Sequence, residues 1–318
     1  MKLFIQIPCY NEEKTLKATL ATIPKKIQGI ETIQIVVIND GSTDNTVQIA
    51  KDAGVDHIVN LPFNRGLAQA FKAGVNYSLQ HGADIIVNTD GDNQYPSHYI
   101  SDLVAPIVNR EAEFVIADRQ IHQNPYYSQT KRFLHSIGTR FIRFVSRLKI
   151  NDPVSGMRAF TSEVARELTF VSEFSYTIEM LIQVGNKRFV TSEVPIEVNK
   201  PERKSRLFRS VSDFMIQSSK VLIRSLILYR PLSIFLPLSF LFCLGGSGAI
   251  MRFLWCFFHG MGSGKVQSLI LGSTLVTIGI MVFFFGILAD MVCSLKTQLD
   301  QMQKPLVTPA DKSTDKEE

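Results

Sequence analysis

The sequence is poor in cysteine and tryptophan, which number four and one among its 318 residues. No pair of the cysteines has the spacing of a metal site, and three lie in or beside long apolar runs, where cysteine behaves as a small hydrophobic residue. A disulfide-rich scaffold and a cysteine-based zinc module are therefore excluded. The pattern indicates a reduced domain that faces the cytosol. The cysteines are Cys9, Cys243, Cys256 and Cys293.

Charge is missing altogether from two long stretches, residues 231–251 and 266–289. At a rise of about 1.5 Å per residue, each stretch can cross the ~30 Å hydrocarbon layer of a membrane as a helix. We therefore expect a transmembrane hairpin made of helices 231–258 and 266–293, followed by a polar, disordered tail at 294–318. The apolar stretch at the N-terminus is too short for a signal peptide and leads into a turn, so we expect none.

Positive charge is concentrated just before the first uncharged run. Residues 131–230 contain 18 basic and 9 acidic residues, a balance of +9 in a chain whose net charge is +5. Such a block indicates anionic lipid headgroups or lipid phosphates as neighbours. Nucleic acid is the competing explanation, but no groove-reading module is visible, so we expect no nucleic-acid partner. The connection 259–265 has a single lysine, which predicts an integral plasma-membrane protein whose N-terminal domain and tail are cytoplasmic.

Two segments combine apolar and basic residues at helical spacing. Residues 131–149 contain no acidic residue, and arginines lie between the apolar positions. This is typical of a helix at the membrane surface, although an ordinary surface helix packed on a core has the same spacing. Residues 206–230 repeat the pattern immediately before the first uncharged run, which predicts a juxtamembrane amphipathic helix.

Residues 1–205 alternate strand-like and helix-like patterns, which predicts an α/β domain with a Rossmann-like, doubly wound and mostly parallel sheet. We expect helices from residue 11 to about 26, from residue 43, and from the turn 64–66 to about 81. The strands are expected at residues 3–7, 33–38, 56–60, 84–89 and 114–117.

Polar clusters follow three of these strands. Ligands of doubly wound sheets bind at the carboxyl ends of the strands, so the clusters indicate one shared site. They are Tyr10-Asn11-Glu12, Asp40-Gly41-Ser42 and Asp90-Gly91-Asp92.

The cluster after the fourth strand has the strongest chemical signal. Asp90 and Asp92 can jointly hold a hard divalent cation, to which Gln94 could add a carbonyl oxygen, while diphosphate oxygens take the remaining positions. Acidic turns are common, but the position of this one at a strand end beside the other clusters favours a metal site.

Two further acidic residues have more than one interpretation. Asp40 can accept hydrogen bonds from a nucleobase or ribose, while its neighbours cap the next helix. Asp152 lies in a turn between two apolar segments, and a plain turn punctuated by Pro153 and Gly156 is equally compatible with that sequence.

Taken together, the motifs resemble family-two glycosyltransferases of the GT-A type, and specifically the polyisoprenyl-phosphate glycosyltransferases, which include dolichol-phosphate mannose synthases and bacterial GtrB-type glucosyltransferases. The departures from the family pattern are Asn39 for an acid, Leu67 for a lysine and Met157 for phenylalanine. The matching motifs are PCYNEE at 8–13, NDGSTD at 39–44, NRG at 64–66, DGDNQYP at 90–96 and DPVSGMR at 152–158.

The resemblance implies roles for residues of these motifs. Asp90, Asp92 and Gln94 would hold Mg²⁺ or Mn²⁺, and Asp152 would orient the acceptor or take a residual proton. The nucleotide-sugar would contact Pro8, Tyr10, Asn11, Glu12, Asp40, Asn64 and Asp90. The donor and acceptor phosphates would face Arg119, Arg132, Arg203, Ser205 and Arg206.

The reaction that the resemblance implies is an inverting, metal-dependent transfer of a sugar to a polyisoprenyl phosphate at the cytoplasmic face of the membrane. UDP-glucose and undecaprenyl phosphate are the first choice, because the two-helix hairpin resembles the bacterial glucosyltransferases. GDP-mannose and a dolichyl-type phosphate are the second.

Three alternatives were weighed. A processive polysaccharide synthase would need a Q-x-x-R-W element, but the only tryptophan, Trp255, lies in an apolar segment without it. A non-catalytic membrane scaffold on a degenerate transferase fold is disfavoured by the intact acidic motif. A hairpin that also translocates the lipid product is disfavoured by its two helices unless several subunits assemble, and a homo-oligomer could form through close helix contacts at Gly245, Gly246, Gly248 and Gly272.

Overall fold

A computed structural model of the chain describes residues 1–124, 127–168, 176–200, 223–224, 226–227, 229–260 and 265–302, with backbone alone for residues 131 and 296–302. The chain divides into two compact units, residues 1–222 and 223–318.

The first unit contains a seven-stranded sheet with the strand order β3-β2-β1-β4-β6-β5-β7. All neighbouring pairs are parallel except those that involve β6, which is antiparallel to both β4 and β5. The predicted α/β class with a mostly parallel sheet is thus confirmed. The strands are β1 (Lys2–Cys9), β2 (Thr32–Asn39), β3 (His57–Asn60), β4 (Ile85–Asn88), β5 (Phe114–Asp118), β6 (Arg158–Thr161) and β7 (Thr191–Pro195).

Sequence patterns did not reveal the last two strands. β6 is only four residues long and begins with an arginine, so it lacks the apolar run that marks a buried strand. β7 is polar and ends at Pro195. Because β7 lies at the edge of the sheet, it does not need the continuous apolar pattern of a central strand and can tolerate proline.

Helices connect the strands of the first unit. The helix expected from residue 11 is shorter than predicted: Asn11 has a left-handed φ of 54°, residues 12–15 form a turn, and the helix starts only at Leu16. The helices are α1 (Leu16–Ala21), α2 (Thr46–Asp52), α3 (Leu67–Gln80), α4 (Ile100–Val108), α5 (Gln129–Ser146), α6 (Ser162–Glu167) and α7 (Tyr176–Asn186), with a 3₁₀ turn at Ser97–Tyr99.

The centre of the sheet is β1, which is buried from Leu3 to Cys9 and paired on both sides. Burial of apolar side chains on its two faces supplies the main stabilisation of the unit. One polar pair crosses this core: the Nε2 of Gln6 donates to the Oδ1 of Asn88 at 2.9 Å. Asn88 in turn donates from Nδ2 to the carbonyl of Gly156 at 2.9 Å, which fixes the loop before β6 against β4.

Helix α5 combines the two interpretations of the basic segment at 131–149. Ile142 and Val145 are buried, so one side of the helix packs on the core. Phe133 and Ile137 are 65% and 53% exposed, and they share an exposed stripe with Arg140 at spacings of four and three residues. The helix is therefore a packed element that also presents an apolar and basic outer face.

The second unit contains two long apolar helices, α8 (Leu232–Phe258) and α9 (Val266–Met302). In α8 the span Leu232–Phe258 and in α9 the span Val266–Leu295 are long and apolar enough to cross a membrane, with mean hydropathy of 1.9 and 2.4. The helix α9 continues beyond residue 293, where a disordered tail was predicted to begin. Most of the juxtamembrane segment 206–230 and the tail after residue 302 lie outside the described residues.

The two helices of this hairpin pack through small residues. A Cβ at Gly272 would lie 2.8 Å from the carbonyl oxygen of Gly246, and one at Gly279 would lie 2.5 Å from the Sγ of Cys243. The Oγ of Ser239 donates to the carbonyl of Gly279 at 2.8 Å. Such close approach of backbones is typical of helices that associate in membranes. Two of the glycines considered for an oligomer thus serve contacts within the hairpin.

Candidate active site

The loops that follow β1 and β2 are joined by hydrogen bonds at the carboxyl edge of the sheet. The backbone N–H of Asn11 donates to the Oγ of Ser42 at 3.0 Å, and the side-chain oxygen of Asn11 accepts from the N–H of Thr43 at 2.8 Å. Pro8 is buried at the end of β1, and Tyr10 is 38% exposed beside it. The structure therefore places the predicted nucleoside-contacting residues of the two loops together.

Glu12 connects this pair of loops to the loop after β4. Its backbone N–H donates to the Oγ1 of Thr46 at 2.8 Å, and its carboxylate accepts from the Oγ1 of Thr15 at 3.1 Å. The same hydroxyl lies 2.9 Å from the carbonyl of Gly91, between the two aspartates of the acidic motif. Glu12 is 8% exposed. Through these hydrogen bonds it helps to hold the loops after β1, β2 and β4 together.

Asp40 organises the turn that follows β3. Its Oδ1 accepts from the N–H of Arg65 at 2.8 Å and its Oδ2 from the N–H of Gly66 at 2.9 Å. Burial raises the pKa of Asp40, while these two hydrogen bonds act in the opposite direction. Gly66 has a φ of 89°, and Asn64 accepts from its N–H at 3.1 Å. Both carboxylate oxygens thus hold the turn, and their predicted contact with a nucleoside stays a prediction.

The acidic motif after β4 forms a tight turn. The Oδ1 of Asp92 accepts from the N–H of Gln94 at 3.1 Å. Burial, followed by the neighbouring charge of Asp92, raises the pKa of Asp90 to about 7, although the charge of Arg119 acts in the opposite direction. A Cβ at Gly156 would lie 2.7 Å from the Oδ2 of Asp90, so the loop before β6 leaves room for this carboxylate only because it has glycine there.

The donor set at this turn fits a hard divalent cation. The carboxylates of Asp90 and Asp92 are oxygen ligands of the kind that Mg²⁺ and Mn²⁺ prefer, and Gln94, two residues further on, has an amide oxygen. Burial is the main cause of the raised pKa of Asp90, and the neighbouring charge of Asp92 adds to it, so a bound cation would stabilise the ionised form of this carboxylate. Within the described residues no three His, Cys, Asp or Glu side chains converge as a metal site, so the remaining positions would belong to phosphate oxygens and water.

Asp152 is fully buried and is held by Arg119. Arg119 donates to its Oδ2 from Nε at 2.5 Å and from the backbone N–H at 3.2 Å, and to its Oδ1 from NH2 at 2.8 Å. Although burial by itself raises the pKa of Asp152, the charge and hydrogen bonds of Arg119, assisted by His135, hold it well below its usual range. A carboxylate that binds protons so weakly is suited to orient a partner more than to take a proton.

Hydrogen bonds from a buried arginine hold the loop between Asp152 and β6 in place. Arg158 is fully buried, and it donates to the carbonyls of Pro153 at 2.8 Å, Ser155 at 2.9 Å and Thr177 at 2.7 Å. Burial lowers the pKa of Arg158 to about 10. From the other side, the hydroxyl of Tyr95 accepts from the N–H of Gly156 at 2.9 Å. This bond connects the acidic motif directly to the loop that contains Asp152.

The other predicted phosphate-facing residues are only partly described. Arg132 lies in the first turn of α5, where its NH2 donates to the carbonyl of Asn124 at 2.9 Å. Its Nε is buried and finds no hydrogen-bond partner among the described residues, which leaves a donor for a ligand. Arg203, Ser205 and Arg206 lie outside the described residues.

Sequence reasoning missed three residues that build the site. Tyr95 and Gly156 were recognised only as parts of motifs, and the contact between their loops became visible in the fold. His135 lies alone on a basic helix, and a single histidine in such a segment gives no signal. Its Nε2 lies 3.3 Å from the Oδ1 of Asp152.

Comparisons with known proteins identify the family. The family model described as "Glycosyl transferase family 2" matches residues 4–169, about half of the chain. The match includes the loops after β1, β2 and β4 and the pair Arg119–Asp152.

Several curated proteins are similar over about three fifths of the chain. An uncharacterized protein of Methanocaldococcus jannaschii is 29% identical over 62% of this chain and 81% of its own length. A UDP-N-acetylglucosamine–dolichyl-phosphate N-acetylglucosaminyltransferase of Methanococcus voltae is 26% identical over 61% of this chain and 84% of its own. An undecaprenyl-phosphate mannosyltransferase of Micrococcus luteus is 24% identical over 62% and 83%.

Among solved structures, a similar chain is glucosyl-3-phosphoglycerate synthase of Mycobacterium tuberculosis, crystallised with Mn²⁺, uridine diphosphate and phosphoglyceric acid. It has a TM-score of 0.55 and 20% identity, over 71% of this chain and 77% of the synthase. The likeness confirms the GT-A fold. With the matching family model, it leads to one statement of identity: the chain belongs to glycosyl transferase family 2 and is a glycosyltransferase.

Proposed function

We propose that this family 2 glycosyltransferase moves a sugar from a nucleoside diphosphate to a polyprenyl phosphate, with UDP-glucose and undecaprenyl phosphate as first candidates. The observation that carries the proposal is the pairing of charges at the carboxyl edge of the sheet. The acidic turn of Asp90 and Asp92 lies within electrostatic reach of Arg119, whose side chain is 11% exposed, so a cation and an anion can be bound side by side.

The relatives support the acceptor class more than the sugar. Their names include dolichyl-phosphate and undecaprenyl-phosphate transferases, which act on N-acetylglucosamine and mannose among other sugars. The choice of glucose rests on the two-helix hairpin and on the resemblance to bacterial glucosyltransferases. GDP-mannose with a dolichyl-type phosphate is the second candidate, favoured by a dolichol-phosphate mannosyltransferase of Pyrococcus furiosus that is 28% identical.

The donor site is proposed to form between the acidic turn and the loops after β1 and β2. Asp90, Asp92 and the amide of Gln94 would hold Mg²⁺ or Mn²⁺, which would supply positive charge to the departing diphosphate. The neighbouring synthase with Mn²⁺ and uridine diphosphate supports this assignment. The loops of Pro8, Tyr10, Asn11, Asp40 and Asn64 would bind the nucleoside.

The acceptor needs little help from a base. A phosphate monoester has a second pKa near ~6, so at neutral pH it is already an anion. Arg119 is the described residue placed to bind it, because two N–H groups of the guanidinium hold Asp152 and three remain. Asp152 would then act by orienting Arg119 and not by accepting a proton. The proposed chemistry is a single displacement with inversion, driven by positioning and charge.

Membrane attachment is proposed from two separate features. The spans of α8 and α9 have the length and hydropathy of membrane helices. In the first unit, the exposed Phe133, Ile137 and Arg140 of α5 match the composition of a surface that rests on anionic lipid.

We propose a catalytic domain at 1–205, a juxtamembrane helix at 206–230, two spans at 231–258 and 266–293, and cytoplasmic placement of the domain and tail. A homo-oligomer formed through the spans remains part of this proposal.

A lipid-transfer assay tests the function. The purified full chain in detergent would be incubated with Mn²⁺, undecaprenyl phosphate and a panel of radiolabelled nucleotide-sugars, and label in the organic phase would be counted. We expect label from UDP-glucose that requires the divalent cation and is absent from the Asp92→Ala variant.

Three outcomes would contradict the proposal. If only GDP-mannose gives labelled lipid, the donor is GDP-mannose and not UDP-glucose. If label appears only with dolichyl phosphate, the acceptor is dolichyl phosphate and not undecaprenyl phosphate. If a donor stabilises the protein in a thermal-shift assay but no lipid of either kind is labelled, the acceptor class is wrong and the scaffold alternative gains support.

A further inference from the structure

His135 is fixed at both ring nitrogens in the first half of α5. Its side chain is 10% exposed, its Nε2 lies 3.3 Å from the Oδ1 of Asp152, and its Nδ1 lies 3.4 Å from the Oγ1 of Thr139. Since a carboxylate can only accept, this network assigns the proton to Nε2. The hydroxyl of Thr139 lies 3.4 Å from Nδ1 and also 3.4 Å from the carbonyl oxygen of Asn151. The imidazole therefore joins α5 to the loop before β6 through the bond from Nε2 to Asp152.

The bond from His135 completes an uneven set of donors. Arg119 supplies two hydrogen bonds to the Oδ2 of Asp152 but only one to Oδ1. His135 adds the second donor at Oδ1, so that within the described residues each carboxylate oxygen accepts two bonds. A carboxylate with two donors on each oxygen cannot rotate without breaking one of them.

The orientation of Asp152 decides where Arg119 points. The pair uses the Nε and NH2 side of the guanidinium, so rotation of the carboxylate plane would rotate the planar fork with it. The N–H groups outside the pair are those proposed to meet the acceptor phosphate. A misplacement of about 1 Å at such a group can lower turnover by about 100-fold.

We propose that His135 is a positioning residue for acceptor binding: its Nε2–H fixes the plane of Asp152, which aims Arg119 at the phosphate. The inference rests on the proposed function, since it assigns a role in the same site. It concerns the acceptor side alone, because the described donor-side loops contact neither His135 nor Thr139 through a hydrogen bond in the structure.

A matched pair of variants separates the bond from the bulk of the side chain. His135→Gln puts an amide N–H near the position of Nε2 and can still donate to Asp152. His135→Asn has similar polarity, but its amide reaches only the position of Nδ1. His81→Leu, at an exposed histidine after α3, is the control for the loss of a histidine elsewhere in the unit.

The experiment measures kcat and KM for undecaprenyl phosphate and for the nucleotide-sugar in each variant, with melting temperatures to confirm folding. We expect His135→Asn to lower kcat/KM for the lipid by about 10- to 100-fold. The KM for the donor should stay within twofold, His135→Gln should recover most of the loss, and His81→Leu should match the wild type.

Three outcomes would overturn the inference. Wild-type kinetics in His135→Asn would show that the bond is not needed, and equal losses in both variants would show that Nε2 donation is not the reason. A parallel loss of donor affinity would indicate a general structural role. Wild-type protein that fails to label any lipid would instead contradict the proposed function, which keeps the two failures distinguishable.

Discussion

Two aspartates at the same edge of the sheet have opposite electrostatic surroundings. Asp90 faces Asp92, and burial together with that charge raises its pKa to about 7. Asp152 is held by Arg119 and His135, and its pKa lies well below the usual range. Asp152 thus has a counter-charge from Arg119, which follows β5, while Asp90 and Asp92 lie side by side where a cation from solution can bind. The difference separates a permanent anchor from an exchangeable site.

The largest expected effect is a difference in stability between two variants. Removal of the Asp152 carboxylate should lower the free energy of unfolding much more than removal of the Asp90 carboxylate. Asp152→Ala leaves Arg119 buried without its partner, which should lower the free energy of unfolding by about 3–5 kcal/mol. Asp90→Ala removes a repulsive charge and should cost much less. Chemical unfolding of the purified full chain measures both, and equal losses would contradict the distinction.

The acidic turn should matter more for chemistry than for stability. Asp92→Ala is expected to lower kcat by about 100- to 1000-fold, because charge stabilisation of the leaving group is lost. The melting temperature without metal should change little. Asp52→Ala, which removes an exposed carboxylate at the end of α2, is the matched control. Turnover by Asp92→Ala that still responds to Mn²⁺ would refute the metal assignment.

Metal binding should follow the ionisation of Asp90. Because this carboxyl must lose its proton to bind a cation, the apparent affinity for Mn²⁺ should rise about tenfold per pH unit up to the pKa and then level off. The affinity is expected to stop rising near pH 7, since the pKa of Asp90 is about 7. Titration with Mn²⁺ between pH 5.5 and 8.5 measures this, and an affinity that is flat below pH 7 would be evidence against the raised pKa.

The smallest effect concerns stability without metal. The folded chain holds the Asp90 proton more tightly than the unfolded chain, whose pKa is about 3.9. Stability from this group is therefore lost as pH rises from that value through the folded pKa of about 7. Asp90→Asn should consequently raise the melting temperature at pH 8, and Mn²⁺ should stabilise the wild type alone. A lower melting temperature would reverse the sign of the argument.

The first half of the sheet could be predicted because its strands are continuous apolar runs that end in polar clusters. β1 and β2 are such runs, and the acidic turn after β4 follows from the same pattern. Burial on both faces of a parallel strand produces this signal directly. The position of Asp90 and Asp92 at a shared edge with Asp40 was accessible for the same reason.

In the second half only β5 was predicted, as a strand at 114–117, and the remaining strands and the contacts of the site were missed because those contacts join distant residues. Arg119 and Asp152 are separated by 33 positions, and Tyr95 and Gly156 by 61. Nothing in the local sequence around Asp152 distinguishes a clamped carboxylate from a turn. The buried Arg158, which begins β6, disguises a strand as a polar loop.

The hairpin of the second unit has a consequence for how its sequence can vary. Gly272, Gly279 and Gly286 recur every seven residues on α9, and a Cβ at any of them would lie within 2.8 Å of α8. Seven residues make nearly two helical turns, so the three positions form one line along the helix. In a library of random substitutions along α9, we expect replacements of these three glycines not to be tolerated. At the positions between them, one apolar residue should be exchangeable for another. The seven-residue interval between intolerant positions would thus mark the face of α9 that packs on α8.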